Sequence, residues 1–473
     1  METLSGSAVQ AVNLLPPPDL RESYWWKPRT IAVLNPPTPG DRVQESFLPQ
    51  LLAAFAAQGH TVLPEPNGTV HLMLAFFDLA ESNDPLVERV PERHLPLALT
   101  MMRDYGLSKR PENLVLFLTV SRRLSPMPHR QVLELARTVM GRIGVPKVVF
   151  LSGNRETGRL DEATFCTMEG GHPSDATDIA NRLRDRLVTA CCARDVGNEY
   201  EVVPNAIAAS TWERSRTPEA LIEAGHRMAA LGLLPPPKKI GEYVSPELAR
   251  IYQRYLGMKG FSEGMLFAFD PPTRTLMVTA SGSWEVDKRA LKREEIVPIA
   301  ELKDGKVQVW APEGIQPKGP SVEALEVYSL VSSVPTVRVT QNAQGDWVLD
   351  PAGEVTVPVI RAGVHVHVGV AHVDETWVEN VPTNRRAFAY GFGCGTDLMM
   401  ELAQDAARRS RAIMDPTDPR GYVRWQMLYH GDTAVELWKP GVPAQTLAGL
   451  LDMYDPTRVG AIQYTPDHIE QPE

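Results

Sequence analysis

Short, continuously apolar segments alternate with amphipathic ones in the first half of the chain, and this alternation constrains the fold more than any other sequence feature. Strand-like runs at 30–34, 114–120 and 147–151 are separated by helical periodicity at 47–58 and 130–142. Strands that are apolar on both sides need cover on both faces of their sheet, as in a doubly wound, mostly parallel sheet. The sequence therefore predicts an α/β fold with a Rossmann-like N-terminal region.

Three consecutive prolines at positions 235–237 mark the predicted domain boundary, because proline cannot continue the helical pattern before them. Beyond them, strand-like segments dominate, at 265–269, 275–279, 307–310, 336–340 and 355–373, with helical periodicity near 321–331, 396–413 and 444–453. We expect a Rossmann-like α/β region at 1–235 and a β-rich α+β domain at 236–473. The order of these regions is similar to that in L-fucose and L-arabinose isomerases, and the likeness concerns this layout alone.

Charge and composition exclude two classes of partner. The formal net charge is -10, and the lysines and arginines are spread along the chain, so a concentrated cationic face for nucleic acid is not expected. The apolar runs are far shorter than the roughly 20 residues of a membrane-spanning helix. Four cysteines are too few for a disulfide framework, and residues 1–6 do not resemble a secretory signal, which together favour a cytoplasmic protein.

Three of the 11 histidines fall within the segment 362–375, which alternates valine with polar residues. On a strand, His365 and His367 point to the same side and could present two imidazoles to one cation, with an oxygen ligand from Glu375. The competing interpretation is an exposed polar face of an antiparallel strand. A cupin barrel is not favoured, because Ala371 or His372 stands where that fold has a glutamate. A divalent metal is the cofactor that this pattern predicts.

A glycine-rich turn precedes the helical pattern that starts near residue 396. Gly391, Gly393 and Gly395 allow close backbone approach, and Thr396 stands at the helix start, where free N–H groups can bind an anion. The turn lacks the spacing of a dinucleotide fingerprint and the lysine of a P-loop. A phosphate or carboxylate site is one interpretation, and an ordinary helix-capping turn is the other.

The segment 169–175 of the first half follows an apparent strand and precedes a helix. This is where ligands bind on open α/β sheets, so Glu169 and His172 are candidates for proton transfer. An ordinary connecting loop is the alternative.

These features together predict an enzyme that acts on a small polar metabolite in a cleft between the two halves. A metal at His365, His367 and Glu375 would polarise a carbonyl or hydroxyl group, while Glu169 or His172 moves a proton. Isomerase, lyase and hydrolase chemistry stay open. The alternatives are a non-catalytic metabolite-binding protein and a structural subunit of an oligomer, and self-association as a homo-oligomer is left open.

Overall fold

A computed structural model shows two large sheets, each covered by helices. It describes residues 28–67, 70–77, 114–125, 127, 129–143, 145, 147–167, 171–175, 178–192, 200–231, 233, 238–242, 246–251, 260–261, 264–280, 288–303, 306–321, 323–366, 378–381, 397–427, 431–440 and 447–451. None of the helices within these ranges has the length and hydrophobicity needed to cross a membrane. The mixture of helices and strands and the mostly parallel first sheet confirm the predicted α/β class.

The first sheet has seven strands in the order β2-β1-β3-β4-β5-β6-β7. Its elements are β1 (Thr30–Asn35), α1 (Arg42–Ala57), β2 (Thr61–Leu63), β3 (Leu72–Phe77), β4 (Leu114–Val120), α2 (His129–Ile143), β5 (Val148–Asn154), β6 (Arg159–Cys166), β7 (Gly171–Asp175) and α3 (Ile179–Cys192). The first five strands in this order are parallel, whereas β6 and β7 are antiparallel additions at one edge. Helices α1 and α3 cover one face and α2 covers the other, as a doubly wound fold requires.

Helix α1 shows how local sequence produces one of these layers. The buried carboxylate of Asp41 caps it by accepting hydrogen bonds from the N–H groups of Val43 and Gln44. Phe47 and Leu51, one turn apart, are buried against the sheet. The helix thus begins five residues before the predicted start at residue 47, because the cap extends it to Arg42.

Two histidines hold the start of β1 through acceptor nitrogens. The N–H of Arg29 donates to Nδ1 of His60 over 3.1 Å, and the N–H of Thr30 donates to Nδ1 of His71 over 3.1 Å. Burial, followed by the nearby charges of Arg184 and Arg29, lowers the pKa of His60 to about 4. Burial also lowers the pKa of His71. Both imidazoles are therefore neutral at pH 7, as their acceptor role requires.

We expect acid to destabilise the fold through His60. Its pKa is about 4 when folded and near 6.5 when unfolded, so between these values only the unfolded chain binds the proton. The contribution of His60 to the free energy of unfolding is then constant above pH 6.5 and falls by about 1–3 kcal/mol as the pH drops toward 4. Urea unfolding at pH 7.5 and pH 5 should show a smaller loss for His60→Asn, which keeps an acceptor that does not titrate. The exposed His226→Gln is the matched control, and an unchanged pH dependence in His60→Asn would contradict the assignment.

The second half is built on a nine-stranded mixed sheet in the order β19-β20-β21-β18-β11-β12-β13-β14-β8. The strands from residue 200 onward are β8 (Tyr200–Ile207), β9 (Lys238–Lys239), β10 (Gly260–Phe261), β11 (Met265–Asp270), β12 (Thr275–Thr279), β13 (Ile296–Lys303), β14 (Lys306–Pro312), β15 (Thr336–Gln341), β16 (Trp347–Leu349), β17 (Val355–Pro358), β18 (Ile360–Val366), β19 (Val378–Asn380), β20 (Tyr422–Met427) and β21 (Gly431–Leu437). Strands β15–β17 form a small sheet of their own, and β9 pairs with β10. The central pairings of the large sheet are antiparallel, whereas β8 and β19 join its edges in parallel.

Helices cover both faces of the large sheet. The α-helices from residue 200 onward are α4 (Ala209–Arg214), α5 (Thr217–Ala230), α6 (Pro246–Ile251), α7 (Ala324–Ser332), α8 (Asp397–Arg409), α9 (Arg411–Met414) and α10 (Leu447–Leu450), with 3-10 turns at Ile240–Glu242, Lys288–Ala290 and Arg293–Glu295. Helix α5 packs on the face that carries Leu266. Because neighbouring residues of a strand point to opposite faces, Met265 belongs to the other face, which α7 and α8 cover.

The chain crosses between the two layered units on both sides of the predicted boundary at 235. Trp212 and Met228 precede the boundary, yet they are buried in the core of the nine-stranded sheet. Ile240 and Ala249 follow it, yet they are buried in the α2-side core of the first sheet. The linear division at residue 235 therefore does not coincide with the division between the two cores, because residues 200–233 complete the second one.

Candidate functional site

Four neighbouring strands of the second sheet place a row of side chains on one face. Met265 of β11 pairs with His365 of β18, His365 pairs with Thr433 of β21, and Thr433 pairs with Trp425 of β20. Directly opposed residues on adjacent strands share a face of the sheet. The row thus crosses the sheet at one level, and the same four residues line one cavity.

Helices α7 and α8 form the roof of this cavity. About 430 Å³ of space outside the protein atoms lies between its walls, a figure that includes open solvent at its mouth. The lining residues are Met265, Glu323, Glu326, Val327, Leu330, His365, Met399, Ala403, Ala406, Trp425 and Thr433. We call this space the His365 cavity. Most of its wall is apolar, with a few polar groups that converge on it.

The His365 imidazole is buried and its orientation is fixed. Its side chain is only 3% exposed, and Nδ1 lies 2.7 Å from the hydroxyl oxygen of Thr433. The ring cannot rotate without losing this bond. An exposed polar face, the alternative to a functional role for this strand, is therefore wrong for His365, because β18 lies in the interior of the sheet under two helices.

Two buried carboxyl groups face the same cavity from the N-terminal end of α7. Glu323 immediately precedes the helix and Glu326 lies one turn further, so both occupy one side of it. Each is 6% exposed. Glu323 accepts a hydrogen bond from the hydroxyl of Ser321. Carboxylates are stabilised at a helix N-terminus by the helix dipole, which helps to explain their presence in an otherwise apolar wall.

Trp425 contributes a buried hydrogen-bond donor. The residue is 4% exposed, and its indole Nε1 has no hydrogen-bond partner among the residues that the structure describes. A buried N–H without an acceptor costs about 1–3 kcal/mol. Such a group is rare in a core that serves packing alone.

The predicted metal site can be placed only in part. His365 has the buried position given above, whereas His367 and Glu375 lie outside the described residues. Within the described part of the chain, no three His, Cys, Asp or Glu side chains are grouped so that they could hold one ion. Coordination of a divalent metal by His365, His367 and Glu375 stays a prediction.

The predicted glycine turn precedes a helix of this site. Gly391, Gly393, Gly395 and Thr396 lie outside the described residues, and α8 begins at the next position, Asp397. Met399, in the first turn of α8, lines the His365 cavity. Helix α8, which follows the glycine segment in the sequence, thus lines the same cavity as His365.

The segment that contains Glu169 and His172 is placed differently from the expectation. Gly171–Asp175 forms the edge strand β7, and Cys166, at the end of β6, pairs with Val148 at the start of β5. Because β6 runs antiparallel to β5, Cys166 and its partner Gly171 lie at the amino ends of the parallel strands, whereas ligands bind at their carboxyl ends. The reason for expecting a site here, a position at the carboxyl ends of the parallel strands, was therefore wrong. Glu169 lies outside the described residues, and proton transfer by Glu169 or His172 stays a prediction without that support.

Sequence reasoning missed Glu323, Glu326, Trp425 and Thr433. One signal for the first two was available, since they are the only charged residues in the helix predicted near 321–331. Polar positions on an otherwise apolar helix deserve scrutiny as possible site residues. Nothing local indicated Trp425 and Thr433, because strand register alone brings them beside His365.

Comparisons of this chain with protein-family models, with curated proteins and with solved structures found no match.

Proposed function

We propose that the protein is an enzyme that acts on a small metabolite in the His365 cavity, with His365 as the residue that transfers a proton. The observation that carries this proposal is a buried imidazole, oriented by Thr433, in an apolar cavity that also contains the carboxyl groups of Glu323 and Glu326. The cavity lies between the second sheet and its helices, so the proposed site is within the second half rather than between the two halves.

The surroundings favour acid–base chemistry over simple packing. With Nδ1 bonded to Thr433, proton transfer at this ring would take place at Nε2. The Thr433 hydroxyl can donate to Nδ1 or accept from it, so this bond orients the ring in either tautomer. Exclusion of water strengthens each electrostatic contact inside the cavity. Proton transfer next to a carbonyl or hydroxyl group serves isomerases, lyases and hydrolases alike, so the reaction class among these three stays open.

We expect His365→Gln to lower turnover by about 10²–10⁴-fold, the usual contribution of a general acid or base. Wild-type protein would be incubated with a metabolite extract, and compounds that change with time would be identified by mass spectrometry. The variant would then be assayed on those compounds. The exposed His226→Gln is the matched control and should keep full turnover. Turnover that is unchanged in His365→Gln would exclude His365 as the proton-transfer residue.

The same experiment separates an enzyme from a metabolite-binding protein. A binding protein would retain compounds from the extract without converting them, whereas an enzyme would deplete them. Ala406→Leu would distinguish either from a structural subunit, because the added side chain occupies the cavity wall. It should abolish binding or turnover at this site, while a structural role predicts no ligand-dependent signal in any variant.

Metal dependence is a separate part of the proposal and is tested by metal content. If His365 and His367 bind one ion, His365→Ala and His367→Ala should each lose nearly as much metal as the double variant, because one histidine and one carboxylate hold an ion weakly. Metal content should also fall below about pH 6.5, where imidazole protonates. Full activity of metal-free wild-type protein would show that the reaction needs no metal.

A further inference from the structure

Two residues that line the His365 cavity, Glu323 and Trp425, have polar groups whose bonding is incomplete among the residues that the structure describes. Glu323 is 6% exposed, and its side chain has one hydrogen bond, from the Ser321 hydroxyl, and no ion pair within the described part of the chain. Burial of a carboxylate with so little compensation is unfavourable unless a cation or further donors reach it. Trp425 Nε1 is buried and has no acceptor among the described residues.

The two groups would bind different parts of a ligand, one a donor and the other an acceptor. Glu323 needs a cationic donor, and Trp425 needs an oxygen or nitrogen acceptor. Apart from Glu326, His365 and Thr433, the rest of the wall is apolar and consists of Met265, Val327, Leu330 and residues of α8. This part of the wall accommodates a short hydrocarbon chain. The indole ring beside the cavity also favours a cation over an anion.

We propose that the substrate class of the His365 cavity is a small ammonium compound with a short apolar body and a hydrogen-bond acceptor such as an ether, carbonyl or hydroxyl oxygen. This inference rests on the proposed function in that it concerns the same cavity. The ammonium group binds Glu323, with Glu326 one turn away, and the oxygen accepts from Trp425. His365 lines the same cavity, on the strand next to that of Thr433.

The test measures binding of matched small probes by isothermal titration calorimetry and ligand-observed NMR. Butylammonium, 1-butanol and butyrate have the same chain length and differ in the polar group. We expect butylammonium to bind about tenfold more tightly than 1-butanol, as a charge-assisted hydrogen bond in a buried site provides, and butyrate to bind most weakly. Glu323→Gln should remove the preference for butylammonium, whereas the exposed Glu354→Gln should retain it.

A second pair of probes tests Trp425 separately. 3-Methoxypropylammonium and pentylammonium have nearly the same shape, and only the former has an acceptor oxygen. Wild-type protein should prefer the methoxy compound, and Trp425→Phe should bind the two equally while its affinity for pentylammonium stays close to that of the wild type. Thermal unfolding of each variant confirms that the fold is intact, and Ser321→Ala serves as a milder change at Glu323.

Two outcomes overturn the inference. One is binding of 1-butanol or butyrate at least as tightly as butylammonium, and the other is no binding of any ammonium probe to folded wild-type protein at millimolar concentration. Neither outcome decides the proposed function, which depends on loss of turnover in His365→Gln. If that variant loses turnover on a neutral or anionic compound, the proposed function stands and the ammonium class is wrong.

Discussion

Replacing Gly363 with alanine should destabilise the second half of the protein by about 3 kcal/mol or more. A Cβ atom at this position would lie 2.2 Å from Cζ of Phe267 and 2.9 Å from the carbonyl oxygen of Ala434. Phe267 is fully buried on the neighbouring strand β11 and pairs directly with Gly363, so its ring covers the glycine. The ring has no free volume into which to move in a close-packed core.

Urea unfolding checks this expectation. Gly241→Ala is the matched control, because the nearest atom to its Cβ would be that of Ala249, at 3.9 Å, and its stability should change by no more than about 0.5 kcal/mol. Phe267→Leu removes the ring that would clash with the added Cβ atom at position 363. It should therefore lower the free energy of unfolding less in Gly363→Ala protein than in the wild type. A Gly363→Ala protein as stable as the wild type would show that the two strands are not packed as described.

A chain that starts at residue 236 should fail to fold, whereas one that starts at residue 200 should form the nine-stranded sheet. The shorter fragment lacks β8, α4 and α5 and with them the buried side chains of Trp212, Leu221 and Met228. Loss of each large core side chain costs about 2–5 kcal/mol, and a domain is stable by only about 5–15 kcal/mol in total. Removing all three therefore uses up most or all of the stability.

Circular dichroism, gel filtration and cooperative urea unfolding distinguish the two fragments. We expect a single cooperative transition for 200–473 and aggregation or a non-cooperative profile for 236–473. A variant of the longer fragment with Trp212→Ala and Met228→Ala should be intermediate between them. Cooperative unfolding of 236–473 with native-like ellipticity would restore residue 235 as the boundary between independent units.

Local sequence was sufficient for many elements of the fold. The apolar runs predicted β4 at 114–120 and β12 at 275–279 with their observed bounds, because a strand that is buried on both faces is apolar throughout. The same patterns predicted the doubly wound first half. They failed at β8, which lies at an edge of its sheet with six of its eight residues exposed and therefore shows no hydrophobic pattern to detect.

The candidate site could be predicted only in outline. Period-two spacing singled out His365, because its position on a strand is a local property of the sequence. Whether that strand is exposed or central depends on β11 and β21, which lie about 100 and 70 positions away from it along the chain. A pattern of alternating valine and polar residues fits both cases, so only the pairing could show that His365 is buried.

Sequence by itself thus determined many of the strands and helices and which of their faces are apolar, since both follow from interactions within a few residues. Tertiary structure alone decided which faces meet. Glu323 and Trp425 are separated from His365 by about 40 and 60 positions, and they share its cavity because strand register and the packing of α7 bring them together. These contacts form because the second sheet and its helices bury their apolar faces against each other along their whole length. No pattern within a few residues records which distant segments will meet in this way.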